Sequence, residues 1–404
     1  MKSLFTRSGF AFTCGALAFG AAIFGAAGCA QMCAWSGKTS THAARSAPTP
    51  SYAEDDFDEG PQTVAPQNIN VFGEVNGKRH GGGFVIDIGL QQHTFPQEGS
   101  DSDVSVDPTG KWLAFASTRN SDHPSIYLQR VDGTAVTQLT ASGADDAYPV
   151  FSPDGKQIAF SSTRAGAWQI FVMDADGKNV TQVTSGTSQS IHPSFSPDGN
   201  RLVFCTLGSR SGQWELWTVN LKTTEKRMIG DGLFPVWSPD RSLDRIAFQR
   251  ARQRGSHWFS VWTMDLVDGE GRRVTEVAVS PNAAIISASW SPDGKRLAFT
   301  TIMQPKRGGN DNKVKGQTDI WTIDADGANR QRLTDGRGTN LTPFWGADNR
   351  VYFISDRGGP ECIWSIRADV DRQMNLAKDA GKTEPPQKPN EPAVGSADTG
   401  EVNK

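Results

Sequence analysis

Five copies of Ser-Pro-Asp-Gly or a near variant, an aromatic residue just ahead of most of them, and short runs of alternating apolar and polar residues between them predict an all-β chain. The fold class that fits is a six-bladed β-propeller with disordered N- and C-terminal tails. The anchor prolines are Pro108, Pro153, Pro197, Pro239 and Pro292, at intervals of 45, 44, 42 and 53 residues, and a degenerate sixth copy stands at Gly346-Ala-Asp-Asn349. Four short strands in roughly 40–45 residues make one propeller blade. A seventh blade needs a seventh anchor, and the sequence offers none.

In chain order, residues 1–28 read as a lipoprotein-type signal peptide. Lys2 and Arg7 precede an uncharged stretch from Gly9 to Gly28, and Ala26-Ala-Gly-Cys29 follows the pattern in which small residues stand before a lipid-accepting thiol. Cys29 is therefore the expected lipid-attachment residue. An uncleaved membrane helix and ordinary secretion are the alternatives, and all three export the rest of the chain. Residues 29–68, with Pro48, Pro50, Pro61 and Pro66 and few large apolar side chains, read as a flexible tether. The propeller is expected over 69–370. The stretch 371–404, with Pro385, Pro386, Pro389 and Pro392, reads as a disordered C-terminal tail.

Each repeat has one grammar. An aromatic (Phe151, Phe195, Trp237, Trp290 or Trp345, with Val106 in the first copy) precedes the Ser-Pro-Asp-Gly turn. There proline fixes φ, aspartate bonds its own backbone and glycine takes the left-handed position. A strand such as Gln157-Ile-Ala-Phe-Ser-Ser162 follows, then one centred on Ile170-Phe171 or its equivalents, then an Asp/Gly turn such as Asp174-Ala-Asp-Gly177, then a short strand ending in Leu-Thr or Val-Thr. The last repeat lacks a clear Leu-Thr strand, while Phe84–Ile88 and His93-Thr-Phe95 stand spare ahead of the first. An N-terminal strand paired into the last blade is expected to close the ring.

Ser152-Pro-Asp-Gly155, Ser161-Ser-Thr-Arg164, Ile170-Phe-Val-Met-Asp174 and the Leu-Thr endings resemble the C-terminal propeller of the TolB family over about residues 85 to 368. Residues 30 to 66 are too short and too polar for the small α/β domain that precedes that propeller in TolB. The resemblance implies a non-enzymatic envelope protein, a scaffold that binds an envelope protein or a peptidoglycan-associated partner, in Tol-Pal-like transport or envelope integrity. It implies a periplasmic location, here with membrane attachment through the lipid anchor. Similar repeats also occur in lyase propellers and in relatives of prolyl oligopeptidase. The alternative is thus a propeller enzyme acting on glycans, oligogalacturonate-lyase-like, with its site in the central channel.

The channel mouth is where the loops entering the innermost strands converge. These segments carry Asp103, Asp146, Tyr148, Ser190, His192, Phe234, Ser287 and Thr342. Asp103, Asp146, Tyr148, His192 and Phe234 are the expected partner-binding rim, with Asp146 standing where Asp103 does in the first unit. No catalytic residues, cofactor or metal site are expected. His123, His192 and His257 fall in different loop classes, the chain has no Gly-x-Ser-x-Gly elbow, and its cysteines lack zinc spacing. Cys205 and Cys362 lie in non-adjacent repeats and read as buried small hydrophobes. A net charge of −3 and a pI near 6.1 exclude a nucleic-acid surface. Thr118-Arg119, Thr163-Arg164 and Asp356-Arg357 recur at one hairpin, which argues for a structural arginine. Basic insertions at Arg250–His257 and Gln304–Lys315 extend that same hairpin in two adjacent repeats.

Overall fold

Each Ser-Pro-Asp-Gly copy turns an innermost strand into the second strand of its blade. In the computed structural model, which describes residues 89–251, 259–303 and 317–369, the chemistry of this turn is plain at Ser152. Its hydroxyl donates to the Asp154 carboxylate at 2.6 Å and accepts the Gln157 amide at 3.0 Å, while the Gly155 amide returns to the Ser152 carbonyl at 2.9 Å. Gly155 takes φ +71°, left-handed backbone that costs glycine nothing. In the first copy Asp107 replaces the serine, and its carboxylate accepts the Lys111 and Trp112 amides at 2.7 Å each.

The second turn also follows the sequence. Asp174-Ala-Asp-Gly177 and Asp324-Ala-Asp-Gly327 close tight turns through the Gly177 and Gly327 amides at 2.8 Å. In each, a left-handed asparagine (Asn179, Asn329) donates to the first aspartate at 2.6 Å. The threonine of Leu-Thr then ties the outer edge of the blade to its third strand. Thr140, Thr184 and Thr334 accept the amides of Ile126, Ile170 and Ile320 at 2.9, 2.8 and 2.9 Å.

Six antiparallel four-stranded sheets result. Their innermost strands are Asp101–Val106, Asp146–Phe151, Ser190–Phe195, Leu233–Trp237, Ala283–Trp290 and Asn340–Trp345. The sixth sheet is completed from the other end of the chain. Gln91–Gln92 pairs with Cys362–Arg367, Gln91 opposite Ser365 and Gln92 opposite Trp364. The His93 amide bonds the Ile363 carbonyl at 2.8 Å, and the Thr94 hydroxyl accepts the Ile363 amide at 2.9 Å. Thr94 therefore supplies the threonine that the last repeat lacks. The expected closure is found, but its strand is Gln91–Gln92; His93-Thr-Phe95 continues the contact without forming a strand, and Phe84–Ile88 lies outside the described residues.

Packing between blades carries the core. The second strand of every blade places a phenylalanine at one site (Phe115, Phe160, Phe204, Phe248, Phe299, Phe353), each at most 2% exposed. Phe151, Ile158 and Phe160 of the second blade pack on Ala114, Ala116 and Ile126 of the first, and like clusters fill the other seams. Seam hydrogen bonds fix the spacing of the inner strands: the Phe151, Trp237 and Trp345 amides donate to the hydroxyls of Ser105, Ser194 and Ser289 at 3.3, 3.0 and 3.0 Å. Cys205 and Cys362 are buried free thiols, and burial pushes Cys205 up to about 12.

The recurrent arginines are structural. Arg119 and Arg164 reach the buried carboxylates of Asp101 and Asp146 at 2.7 and 2.9 Å, and Arg357 reaches the Asn340 side-chain oxygen at 2.7 Å. Each guanidinium also lies over two aromatic rings of its own blade, 5.1 Å from the Phe160 and Phe171 centroids for Arg164. The two basic insertions join the second and third strands of the fourth and fifth blades. Apart from Arg250, Ala251 and the strand ends that flank them, they lie outside the described residues, as do Cys29, the signal segment, the tether and the C-terminal stretch.

Candidate functional site: the channel chamber

Every innermost strand carries a β-bulge at the same place. The register shifts between Ser102 and Ser105, Ala147 and Val150, Ile191 and Ser194, Leu233 and Val236, Ile286 and Ser289, and Leu341 and Phe344. The residue that opens each bulge takes left-handed backbone: Asp103 (φ 53°), Tyr148 (56°), His192 (58°), Phe234 (50°), Ser287 (53°) and Thr342 (47°). Such a conformation is costly for residues other than glycine and persists only where the surroundings over-determine it. A bulge re-aims a side chain. Here six bulges aim six different side chains into one cavity of about 470 Å³.

In four blades the next residue is proline (Pro149, Pro193, Pro235, Pro343), which has no amide to donate and is tolerated within a sheet at a bulge. A proline two residues before the Ser-Pro-Asp-Gly aromatic is thus a mark in the sequence, absent from the expectations above, of four of the six ring positions. Deeper along the channel the wall becomes Phe151, Phe195, Trp237, Trp290 and Trp345, and then the turn prolines.

The structure gathers Asp103, Tyr148, His192 and Phe234 as the sequence led one to expect, and adds Ser287 and Thr342 on equal terms. Asp146 is a correction. It opens its strand, so its counterpart in the first blade is Asp101, whereas Asp103 corresponds to Tyr148. The Asp146 side chain is fully buried in its ion pair with Arg164 and does not line the cavity. Ser190, also at a strand start, bonds Thr206 at 2.9 Å. The two-residue offset arises because the bulge, and not the end of the loop, selects what faces the axis.

The ring has two halves. Tyr148, His192 and Phe234 form an aromatic arc across three neighbouring blades: the Tyr148 and His192 centroids lie 3.9 Å apart, and Phe234 meets His192 edge-on at 4.0 Å. Trp168 supports Tyr148 from behind at 6.4 Å. Ser287, Thr342 and Asp103 form a polar arc. Burial pushes the Asp103 carboxyl up to about 6, against the hydrogen bonds from the Ser102 hydroxyl and the Tyr148 amide. Burial pushes His192 down to about 3, so its ring is neutral throughout the physiological range. His123 sits elsewhere, paired with Asp145 at 2.8 Å, and His257 lies outside the described residues. Among the described residues, no group of three or more His, Cys, Asp and Glu side chains is placed to hold a metal.

A closed ring of repeated blades with a variable channel lining defines a six-bladed β-propeller of the Ser-Pro-Asp-Gly repeat kind. The chain carries a TolB-type β-propeller domain, for the TolB beta propeller domain matches residues 85–243, and the Tricorn protease N-terminal beta propeller domain matches residues 174–383, just over half of the chain. A Protein TolB homolog of Chlorobium luteolum is 41% identical over 75 residues, which cover 18% of this chain and 17% of that protein. The Tol-Pal system protein TolB of Hahella chejuensis is 28% identical over 114 residues, covering 28% of this chain and 23% of that one. The matches thus span less than a quarter of the length of these two relatives. The structure of a putative TolB from Agrobacterium tumefaciens shares the fold at a TM-score of 0.50 and 20% identity, over 66% of this chain and 90% of that one.

Proposed function

We propose that this protein is a TolB-like recognition scaffold of the cell envelope, lipid-anchored through Cys29, which binds a segment of a protein or peptidoglycan-associated partner in its channel mouth. The observation that carries this reading is the bulge ring. Structural side chains repeat from blade to blade (the Ser-Pro-Asp-Gly serine, the arginine, the buried phenylalanine), whereas the six bulge positions all differ. Six strained backbone sites hold six dissimilar side chains toward one chamber, and that is how a repeated scaffold acquires a specific surface. The names of the relatives point to the Tol-Pal system as the setting.

In-cell photocrosslinking from Tyr148, with mass-spectrometric identification, tests it. One captured envelope protein or peptidoglycan fragment, lost when Phe234 is changed to Ala, supports the scaffold; capture of nothing beyond background sinks it. Labelled palmitate on the wild type and not on Cys29→Ala checks the anchor.

A second reading has one observation in its favour. Asp103, with its carboxyl near 6, is a protonatable group in a chamber of small-molecule size. A channel enzyme acting on glycans would use it as acid or base. Turnover of a sugar-acid oligomer by the purified protein, abolished in Asp103→Asn, selects that reading.

A further inference from the structure

The chain treats the carboxylates near its inner strands in two ways. Asp101 and Asp146 each receive an arginine, and Asp319 receives Arg332 at 2.8 Å. Asp103, two residues from Asp101, receives none: the groups acting on it are the Ser102 hydroxyl and the Tyr148 amide, with no lysine or arginine among them. A carboxylate drawn out of water without a cation is costly, and a chain that supplies arginines to its neighbours leaves this one open to the channel.

Beside Asp103 begins the aromatic arc. Tyr148 and Phe234 present π-systems within ring-contact distance of His192, and the faces of such rings attract cations. His192 neither adds a competing positive charge nor neutralises Asp103, because it stays unprotonated. Across the ring Ser287 offers a hydroxyl. The other charged groups lining the chamber are Asp107, whose carboxylate is taken up by Thr109, Lys111 and Trp112, and Arg241, which belongs to the turn at the far end.

We infer that the channel chamber takes the head of an organic cation, a primary ammonium or guanidinium group, held between the Asp103 carboxylate and the aromatic arc of Tyr148, His192 and Phe234. This rests on the channel being a recognition site and specifies what it recognises. The cation comes either from a free amine or from a lysine or arginine of a partner's segment. Both present the same head to the same wall. Binding requires the ionised carboxylate, so affinity falls as pH is lowered through about 6.

The test is an NMR titration of the full chain with butylammonium, with 1-butanol as the uncharged comparison, and with acetyl-Gly-Lys-Gly-amide. Butylammonium is expected to bind while butanol does not, and Asp103→Asn is expected to weaken it about tenfold, the loss of one charge-assisted contact. A peptide binding about tenfold tighter than the free amine assigns the source to a partner's segment, whereas equal affinities assign it to a small amine. Equal binding of butanol, an affinity unchanged in Asp103→Asn, or no saturable shift with any of the three overturns the inference. Should the variant fail to fold, the wild-type titration repeated on both sides of pH 6 decides the matter, since an affinity flat across that range also overturns it. The two readings part cleanly. A partner crosslinked from Tyr148 as well in Asp103→Asn as in the wild type removes the cation and keeps the scaffold, while ammonium binding with no captured partner does the reverse.

Discussion

At the scale of single residues, the division is between side chains that repeat and side chains that do not. Arg164 repeats, and its work is to neutralise Asp146 while covering two rings of its blade. Removing it leaves a fully buried carboxylate without its cation. Arg164→Ala is expected to lower stability in urea by about 3 kcal/mol. Arg130→Ala, which breaks an exposed pair with Asp132, should leave the midpoint where it was. Thr342 is the opposite case. A β-branched residue at φ 47°, with a buried Oγ1 that finds no hydrogen-bond partner, is held there at a cost. Thr342→Gly is expected to raise stability by about 1 kcal/mol. A midpoint that falls instead would mean that the threonine is there for packing.

At the scale of elements, the bulge and the closing segment matter most. The innermost strands look continuous in sequence, and only the proline inside them warns of the interruption that points one side chain at the axis. Closure is equally local in its chemistry. His93 donates from Nδ1 to the Val131 carbonyl of the first blade at 3.1 Å and accepts at Nε2 from the Ser365 hydroxyl of the last at 2.7 Å, with Ser365 in turn accepting from Arg350 at 2.7 Å. Gln129 of the first blade donates to the His93 carbonyl at 2.7 Å. This tautomer follows from the partners.

Burial, with Arg350 adding to it, holds His93 below its usual range in spite of the Val131 carbonyl and Asp348. The unfolded chain therefore takes up this proton near the ordinary histidine value of 6.5 while the folded ring resists it. Stability from this group is complete above that value and is lost as pH falls below it. His192 acts in the same direction and Asp103 in the opposite one. The informative quantity is thus the difference between the wild type and His93→Gln. The variant should lose less stability than the wild type between about pH 7.5 and about pH 5. Parallel urea curves for the two proteins would show that His93 does not titrate at the closure.

At the scale of the whole molecule, one short segment converts a row of blades into a ring. Gln91 to Thr94 covers the outer edge of Cys362–Arg367, an edge that would otherwise present unpaired backbone groups. Removing the chain through Thr94 should speed hydrogen exchange in Cys362–Arg367 about a hundredfold, and it should bring concentration-dependent association visible by light scattering. Unchanged protection in that strand would show that the ring stands without its closing segment.

Much of this organisation could be read from the sequence. Ser-Pro-Asp-Gly, the Asp/Gly turns and the Leu-Thr endings act through bonds spanning a few residues to a single blade, so their spacing alone announced six blades of four strands. The arginine at the second hairpin was legible as structural because repetition is what a scaffold requires. The chamber was legible only in part. Asp103, Tyr148, His192 and Phe234 stood in the right segments, but Asp146 stood there too, and a shift of two residues in an innermost strand separates a channel wall from a buried ion pair. Thr94 as the missing threonine of the last blade is not legible in the sequence because its partner, Ile363, is at the far end of the chain.

What the sequence determined by itself was therefore everything that short-range chemistry fixes: the strand and turn pattern, the number of blades, and the need for a closing strand. Only the tertiary structure decided which side chains meet at the axis, how six of them divide into an aromatic and a polar arc, and that Asp103 is left without a cation. Those outcomes depend on bulges that set the facing of each inner strand and on contacts between blades dozens to hundreds of residues apart. No local pattern encodes such distances.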